Sequence, residues 1–347
     1  MTYKEKNMEL VRKIISSAFW RAEHFPQYYT ESFTMDFPSA PPGMPCHFSV
    51  WESERCFEWL NRTVKNWNVE LEELYSTPNP DQFWAIGICR GNVFWGGQDG
   101  RFQSKFFARI ELKDGKVNYL KGWMDTLAFL RAANFKFTPI VKGIFDPQVD
   151  KFLANPPVRL KVDKPKINPD DPYAGLDMSP GAIEERIQIN LKQNICGIER
   201  ETYRQAETFH PDYQRGAWFV PDDQPWCPFD EHDKSILRNS DMQKYMPKEF
   251  RPRIHAWVKS SSPWMYRDTR GVNFPTDDKL VYFAEMYSNG PSKWLGNGNH
   301  DGHYHQEYLM VMKFDEAGRE LIRDEVICPL NKYNSANVSL PSFPYYL

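Results

Sequence analysis

Along residues 4–20, KEKNMELVRKIISSAFW, the apolar residues Met8, Val11, Ile14, Ile15 and Phe19 recur at helical spacing. Residues 182–195, AIEERIQINLKQNI, repeat that pattern. A second helical stretch follows each of them, at about 52–66 and at about 247–260. Then the period falls to two and the residues become ring-rich and β-branched, as strands require. In the first half these runs are VELEELYS, QFWAIGICRGNVFW, RFQSKFFARIEL and KVNYLKGWM. In the second half they are MYRD, KLVYFAEMYSNG, HYHQEYLMVMKF and RELIRDEVI. Helices followed by an antiparallel meander predict an α+β unit, and the chain contains that order of elements twice.

Between the halves, residues 145–181 concentrate proline and charge, which predicts an extended connector with little helix or sheet of its own. The expected organisation is therefore a first domain over 1–144, the connector over 145–181, and a second domain over 182–347. Internal spacing supports a repeat. Trp67 stands as far before Asp81 as Trp264 stands before Asp278. Asp99-Gly100 and Asp301-Gly302 open corresponding strands, and Gly115 corresponds to Gly318.

Composition narrows the function classes. With 41% hydrophobic residues and 12 Trp, 17 Tyr and 24 Phe among 347 residues, a ring-rich packed core is expected. The formal net charge of −3 gives no electrostatic case for a nucleic acid or an anionic membrane as partner. The N-terminus has no secretory-type apolar segment, and no run approaches the ~18 apolar residues of a membrane span. The six cysteines are scattered without a CxxC pair, so a reduced, cytoplasmic protein is expected.

Three of the eight histidines cluster in NGNHDGHYHQEYLMVMKF. His303, His305 and Glu307 share one strand face, and two imidazoles with a carboxylate are a possible ligand set. No histidine follows His305 to complete such a site, and a polar strand face accounts for the same pattern, so no metal is expected. The other face carries Tyr304, Gln306 and Tyr308, two phenols and an amide suited to a flat polar organic molecule. Elsewhere, His255 lies in PRIHAWVKSS with Lys259 one turn later on the same side. Glu325 lies among apolar residues in LIRDEVICPL. Burial raises a carboxyl pKa, and a raised Glu beside a His makes an acid/base pair for work near neutral pH.

These residues resemble a known family. WNVELEELYSTPNPDQFWAIGICRGNVFWGG and FFARIELKDGKVNYLKGWMDTLAFLRAANFKFTPIVK are similar to the strand meander and closing helix of the PhzA/PhzB phenazine-biosynthesis proteins. That family lies within the SnoaL, ketosteroid-isomerase and nuclear-transport-factor-2-like superfamily. The resemblance implies two fused cone-shaped units. Each would have N-terminal helices packed on a curved, mainly antiparallel sheet, with the two sheets back to back as an internal pseudo-dimer, open to further homo-oligomerisation. It implies a cofactor-free enzyme of secondary-metabolite biosynthesis acting on a small-molecule substrate.

On this resemblance the family's helix histidine falls on His255, its last-strand glutamate on Glu325 and its pocket tyrosine on Tyr304. The carboxylate-binding arginine position falls on Gln205, with Arg204 beside it. The family's serine one turn after the histidine is Lys259 here. In the first copy the three reactive positions fall on Cys56, Gly122 and Phe102. One working site, in the second copy, is therefore expected. Glu325 and His255 are its catalytic candidates, and Tyr304, Gln306, Tyr308, Lys259 and Arg204 its substrate-binding ones.

Overall fold

The computed structural model describes residues 1–17, 19–40, 44–95, 98–133, 170–196, 208–218, 268–291 and 303–327. Helix α1 (Tyr3–Ser17) buries Val11, Ile14 and Ile15 on one face. Its buried Asn7 donates to Asp81 Oδ1 at 2.8 Å and to the Pro80 carbonyl at 3.1 Å, which ties the helix to a turn between strands. A short 3₁₀ turn (Ala22–His24) and α2 (Phe25–Tyr28) lead into β1 (Tyr29–Asp36) and β2 (His47–Phe48). Helix α3 (Val50–Thr63) starts at a capping box. Ser49 Oγ accepts from the Glu52 N–H, and Glu52 Oε2 accepts from the Ser49 N–H at 2.8 Å, so two otherwise orphaned donors are satisfied.

Strands β3 (Val64–Ser76), β4 (Gln82–Trp95), β5 (Gln98–Lys113) and β6 (Lys116–Met124) form the expected meander, closed by α4 (Thr126–Ala132). The helix before β3 stops at Thr63, short of the end that the periodicity predicts, because the β-branched Val64 already enters the sheet. The sheet order is β2-β1-β6-β5-β4-β3. Strand β1, which the sequence pattern does not predict, runs parallel to β6. A register shift between Tyr29 and Thr34 breaks its alternation and hides it.

In the second half, residues 170–179 turn into α5 (Pro180–Cys196), where Ser179 Oγ accepts from the Ala182 N–H at 3.4 Å. The buried Arg186 donates to the carbonyls of Ala317 (2.6 Å) and Asp177 (2.7 Å). The end of the expected connector is thus fastened to the second unit. Strands β7 (Phe209–Trp218), β8 (Asp268–Pro275), β9 (Val281–Pro291), β10 (His303–Phe314) and β11 (Glu320–Ile327) form a sheet ordered β7-β11-β10-β9-β8. The parallel edge strand β7, also unpredicted, holds Pro211 and Gly216, residues that a sheet edge tolerates. The first strand of this meander runs over Asp268–Pro275 rather than stopping at Asp268. The helix predicted at about 247–260 lies outside the described residues.

The two sheets have one topology. Apart from the two-residue edge strand β2, which only the first sheet has, β1 parallel to β6 is matched by β7 parallel to β11, and the next three strands of each are antiparallel neighbours in the same order. The hairpin glycines agree as well. Gly115 (φ +73°) and Gly318 (φ +76°) both turn the chain through the left-handed region. The fold is α+β, as the pattern predicts.

Among the described residues, three apolar clusters fill it. The first lies between the first sheet and α1, α3 and α4. Another lies between the second sheet's inner face and α5, with Ile187, Leu191, Tyr308, Met310 and Met312. The third joins the two sheets, with Trp84, Ile86, Phe107 and Trp123 facing Val281, Phe283, Leu309, Val311 and Val326. The sheets therefore pack against each other through the faces that turn away from the helices.

Candidate functional site

Strand register sets out which positions of the two units correspond. Ala108 pairs with Gly122 in the first sheet, and Met310 pairs with Glu325 in the second. The hairpin glycines fix the same alignment. Glu325 is then the counterpart of Gly122, Tyr308 of Phe106, and Tyr304 of Phe102.

In the second unit, Tyr308 is buried in the cluster on the helix-covered face. Met310 belongs to the same cluster, and Glu325 sits at the register position directly opposite it. Tyr304 and Gln306 hold register positions opposite Gly290 and Ser288 on β9. His255, Lys259 and Arg204 lie outside the described residues. Glu307 takes the opposite face, where its carboxylate lies 3.2 Å from Lys121 Nζ of the first sheet. Among the described residues, no group of three His, Cys, Asp or Glu is placed to hold a metal.

The equivalent region of the first unit is a cavity of about 40 Å³ lined by Trp20, Met35, Phe37, Met44, Cys56, Phe57, Trp59, Leu60, Met124, Thr126 and Phe129. Cys56 is buried in its wall as a small hydrophobe. Rings occupy the rest. Trp20 stacks on Phe19 (4.9 Å between centroids) and on Trp67 (5.7 Å), and Trp67 stacks on Phe102 (6.3 Å). A Cβ at Gly122 would meet the Trp20 ring at 3.5 Å, so the indole covers the place a glutamate would enter. Trp20 Nε1 is buried with no hydrogen-bond partner among the described residues. The apolar wall offers neither a base nor an acid.

A polar cluster lies between the sheets, and of its members only Glu307 belongs to a motif of the sequence. Glu285 is 5% exposed. Its Oε1 accepts from Arg109 Nη1 at 2.5 Å, and its Oε2 accepts from Lys121 Nζ at 2.8 Å. Burial alone would depress the Lys121 ammonium, but the charge and hydrogen bond of Glu285, with Glu307 behind it, outweigh that and raise its pKa. The Arg109 guanidinium also lies over the rings of Tyr119 and Phe274 at 4.9 and 5.0 Å. Tyr119 donates to Asp36 Oδ2 at 2.5 Å, and its pKa is raised by burial first and by that bond second. His47 Nδ1 meets the other oxygen of Asp36 at 2.5 Å. Each cation and each anion stands singly in the sequence, so no spacing could group them. Only the facing of two sheets brings them together.

Residues 19–144 match the family model described as phenazine biosynthesis protein A/B. Two curated relatives from Pseudomonas aeruginosa, phenazine biosynthesis proteins PhzA1 and PhzA2, are each 27% identical over 111 residues, which is 31% of this chain. The chain spans 63% of the length of each of those relatives. Among solved structures, a phenazine biosynthesis-related protein (PhzB2) from Pseudomonas aeruginosa is 20% identical. The match covers 40% of this chain and 92% of that one, with a TM-score of 0.35. A SnoaL-like polyketide cyclase from Jannaschia is 17% identical and covers 38% of this chain and 94% of its own, with a TM-score of 0.32.

Proposed function

We propose that this chain, whose residues 19–144 match the phenazine biosynthesis protein A/B family, is an acid/base enzyme of secondary-metabolite biosynthesis that works from its second unit. The reaction we assign is condensation to an imine, or a related cyclisation or dehydration, on a small amino-keto or cyclic substrate. The observation that carries this reading is the difference between two units of one topology. The first has glycine, cysteine and phenylalanine at the three reactive positions and a ring-filled interior. The second has Glu325, His255 and Tyr304 at the corresponding places in the sequence.

Imine formation requires an amine to attack a carbonyl and water to leave the carbinolamine. Glu325 in its acid form would donate to the departing hydroxyl, and His255 would relay a proton or hold the substrate. Tyr304, Gln306, Tyr308, Lys259 and Arg204 would bind and orient it. Positioning supplies effective concentration, and each well-placed acid or base contributes roughly 10²–10⁴-fold. Glu325→Gln and His255→Ala test the reading in a strain that makes the product. Loss of product by mass spectrometry, with the variants folded and still binding the accumulated precursor, supports it. Unchanged product excludes it.

A second reading is a non-catalytic binder of small molecules. Trp20 Nε1, which has no hydrogen-bond partner among the described residues, in the wall of an apolar cavity favours it for the first unit. The same two variants separate the readings, because a binder would leave product formation unchanged.

A further inference from the structure

The two faces that meet between the sheets correspond by register, yet at the buried Glu285 cluster they carry opposite charge; nearer the edge the polarity reverses, with Lys313 of the second sheet on Glu73 of the first at 2.7 Å. On the first, Arg109 pairs with Lys121 across β5 and β6. At the counterpart positions of the second, Val311 pairs with Asp324. On the second, Leu309 pairs with Glu285 and Glu307 with Tyr287. Their first-sheet counterparts are Phe107 with Ile86 and Lys105 with Ile88. Wherever the first face has its buried cations, the second has an apolar or acidic side chain. Where the second has its buried carboxylate, the first has isoleucine.

The geometry of the pairing is close to two-fold. Trp84 pairs with Arg109 and Phe283 with Val311, which makes these two rings counterparts, and they stack on each other at 4.4 Å. If the first face met a second copy of itself about that axis, Arg109 and Lys121 would lie against Ile86 and Lys105. If the second face met itself, Glu285 would lie against Val311 and Asp324. In the first arrangement Arg109 loses the carboxylate it faces and Lys121 meets Lys105, a lysine that Glu72 of its own sheet already holds at 2.7 Å; in the second, Glu285 is brought against Asp324. In the pairing observed, Glu285 receives Arg109 and Lys121 at 2.5 and 2.8 Å, and Lys121 also reaches Glu307 at 3.2 Å. Breaking such a pair leaves an uncompensated buried ion, which is far more costly than the intact pair is favourable.

We propose that these sheet faces are keyed by charge, so that each accepts the other and rejects a second copy of itself. Arg109 and Lys121 form one half of the key, and Glu285 with Glu307 the other. The inference rests on the reading of the chain as an internal pseudo-dimer. It goes further by naming the partner each face fits and the pairing each face forbids.

The test uses the full chain with a protease site placed within residues 145–169, cleaved after purification. The nicked protein is diluted, allowed to exchange, and its pairs are weighed by native mass spectrometry. First–second pairs should exceed first–first pairs by at least about tenfold, since an unpaired buried charge outweighs one decade of equilibrium constant. In the nicked Arg109→Val/Lys121→Met variant, first–first pairs should appear. Wild-type halves that pair at random would overturn the keying while leaving the pseudo-dimer intact. Halves that fall apart as stable monomers would overturn the pseudo-dimer itself. Should the double variant fail to fold, a double-mutant cycle of Lys121→Met and Glu285→Gln in the uncut chain decides. Coupling supports the key, and strict additivity of the two losses sinks it.

Discussion

Trp84 and Phe283 lie face to face between the two sheets, with their planes 4° from parallel, and neither is accessible to solvent. Further rings support the contact. Trp84 stacks on Trp123 of its own sheet at 6.0 Å, and Tyr75 of the first sheet meets Phe283 edge-on across the interface at 5.6 Å. A residue touching its own counterpart marks the place where a two-fold axis would pass, so this contact is the centre of the sheet-to-sheet packing.

Trp84→Ala should therefore weaken both units together. Truncating a buried tryptophan removes its transfer free energy and leaves a cavity, at a loss of about 3–5 kcal/mol. Chemical denaturation followed by fluorescence should show the midpoint fall for the chain as a whole. A loss within the range of a surface substitution would show that the sheets are held elsewhere.

Lys121 gives a pH dependence with a definite sign. Its pKa in the folded protein is raised, so the ammonium stabilises the fold in full below its unfolded value, about 10.4. That contribution is lost as pH rises through the folded value. The stability of the wild type over Lys121→Met should be constant from neutral pH to about pH 9 and shrink in strong alkali. Urea midpoints measured for both proteins across that range check it. A difference that grows with alkali would reverse the sign and remove Glu285 as the cause.

The other meander strands are legible in the sequence from their period of two, but β8 is not: its DTRGVNFP carries one ring and a glycine, and the run read as a strand, MYRD, meets it only at Asp268. Helices α1 and α3 are legible from their apolar stripes, and Tyr308 from its parity with Tyr304 and Gln306. Strands β1 and β7 are not. One resets its alternation at a register shift and the other carries proline and glycine. The Glu285 cluster is invisible for a different reason. Its members come from β5, β6, β9 and β10, and each would pass for a solvated charge on an ordinary strand. The available signals are Glu307 on the polar strand face of His303 and His305, and a lone Glu between Ala284 and Met286 in KLVYFAEMYSNG. Glu285 is an acid on the face opposite the buried Ala284 and Met286, the face that packs against the first sheet.

The Ser49–Glu52 capping box starts α3, with Glu52 one turn ahead of the cavity-lining Cys56. Ser49→Ala removes the acceptor for the Glu52 N–H and should cost about 1 kcal/mol. The hydrogen bonds from the Ser49 hydroxyl and N–H hold the Glu52 carboxyl below its ordinary pKa. The contribution is therefore present above the unfolded carboxyl value and lost as pH falls through the folded one. Thermal melts of the wild type and Ser49→Ala at about pH 7 and about pH 3, either side of the ordinary carboxyl range, should differ more at the higher pH. Equal differences at both would detach Glu52 from the cap.

The ring-filled interior of the first unit makes a prediction about what that unit cannot regain. At Gly122 a Cβ would sit 3.5 Å from the Trp20 ring, an ordinary contact. Gly122→Ala should thus leave stability within about 1 kcal/mol of the wild type. Gly122→Glu must place a longer side chain into space that Trp20 occupies. That indole has little freedom to yield, since it lies between Phe19 and Trp67 and its backbone is already at φ +56°. Overpacking of this kind costs about 1–3 kcal/mol, and the carboxylate would meet no cation in the apolar wall. In a Trp20→Ala background the glutamate gains room, so its penalty should shrink. Urea unfolding of the two singles and the double measures that coupling. A Gly122→Glu protein as stable as Gly122→Ala would mean that Trp20 does not close the first unit's interior, and that the difference between the two units lies elsewhere.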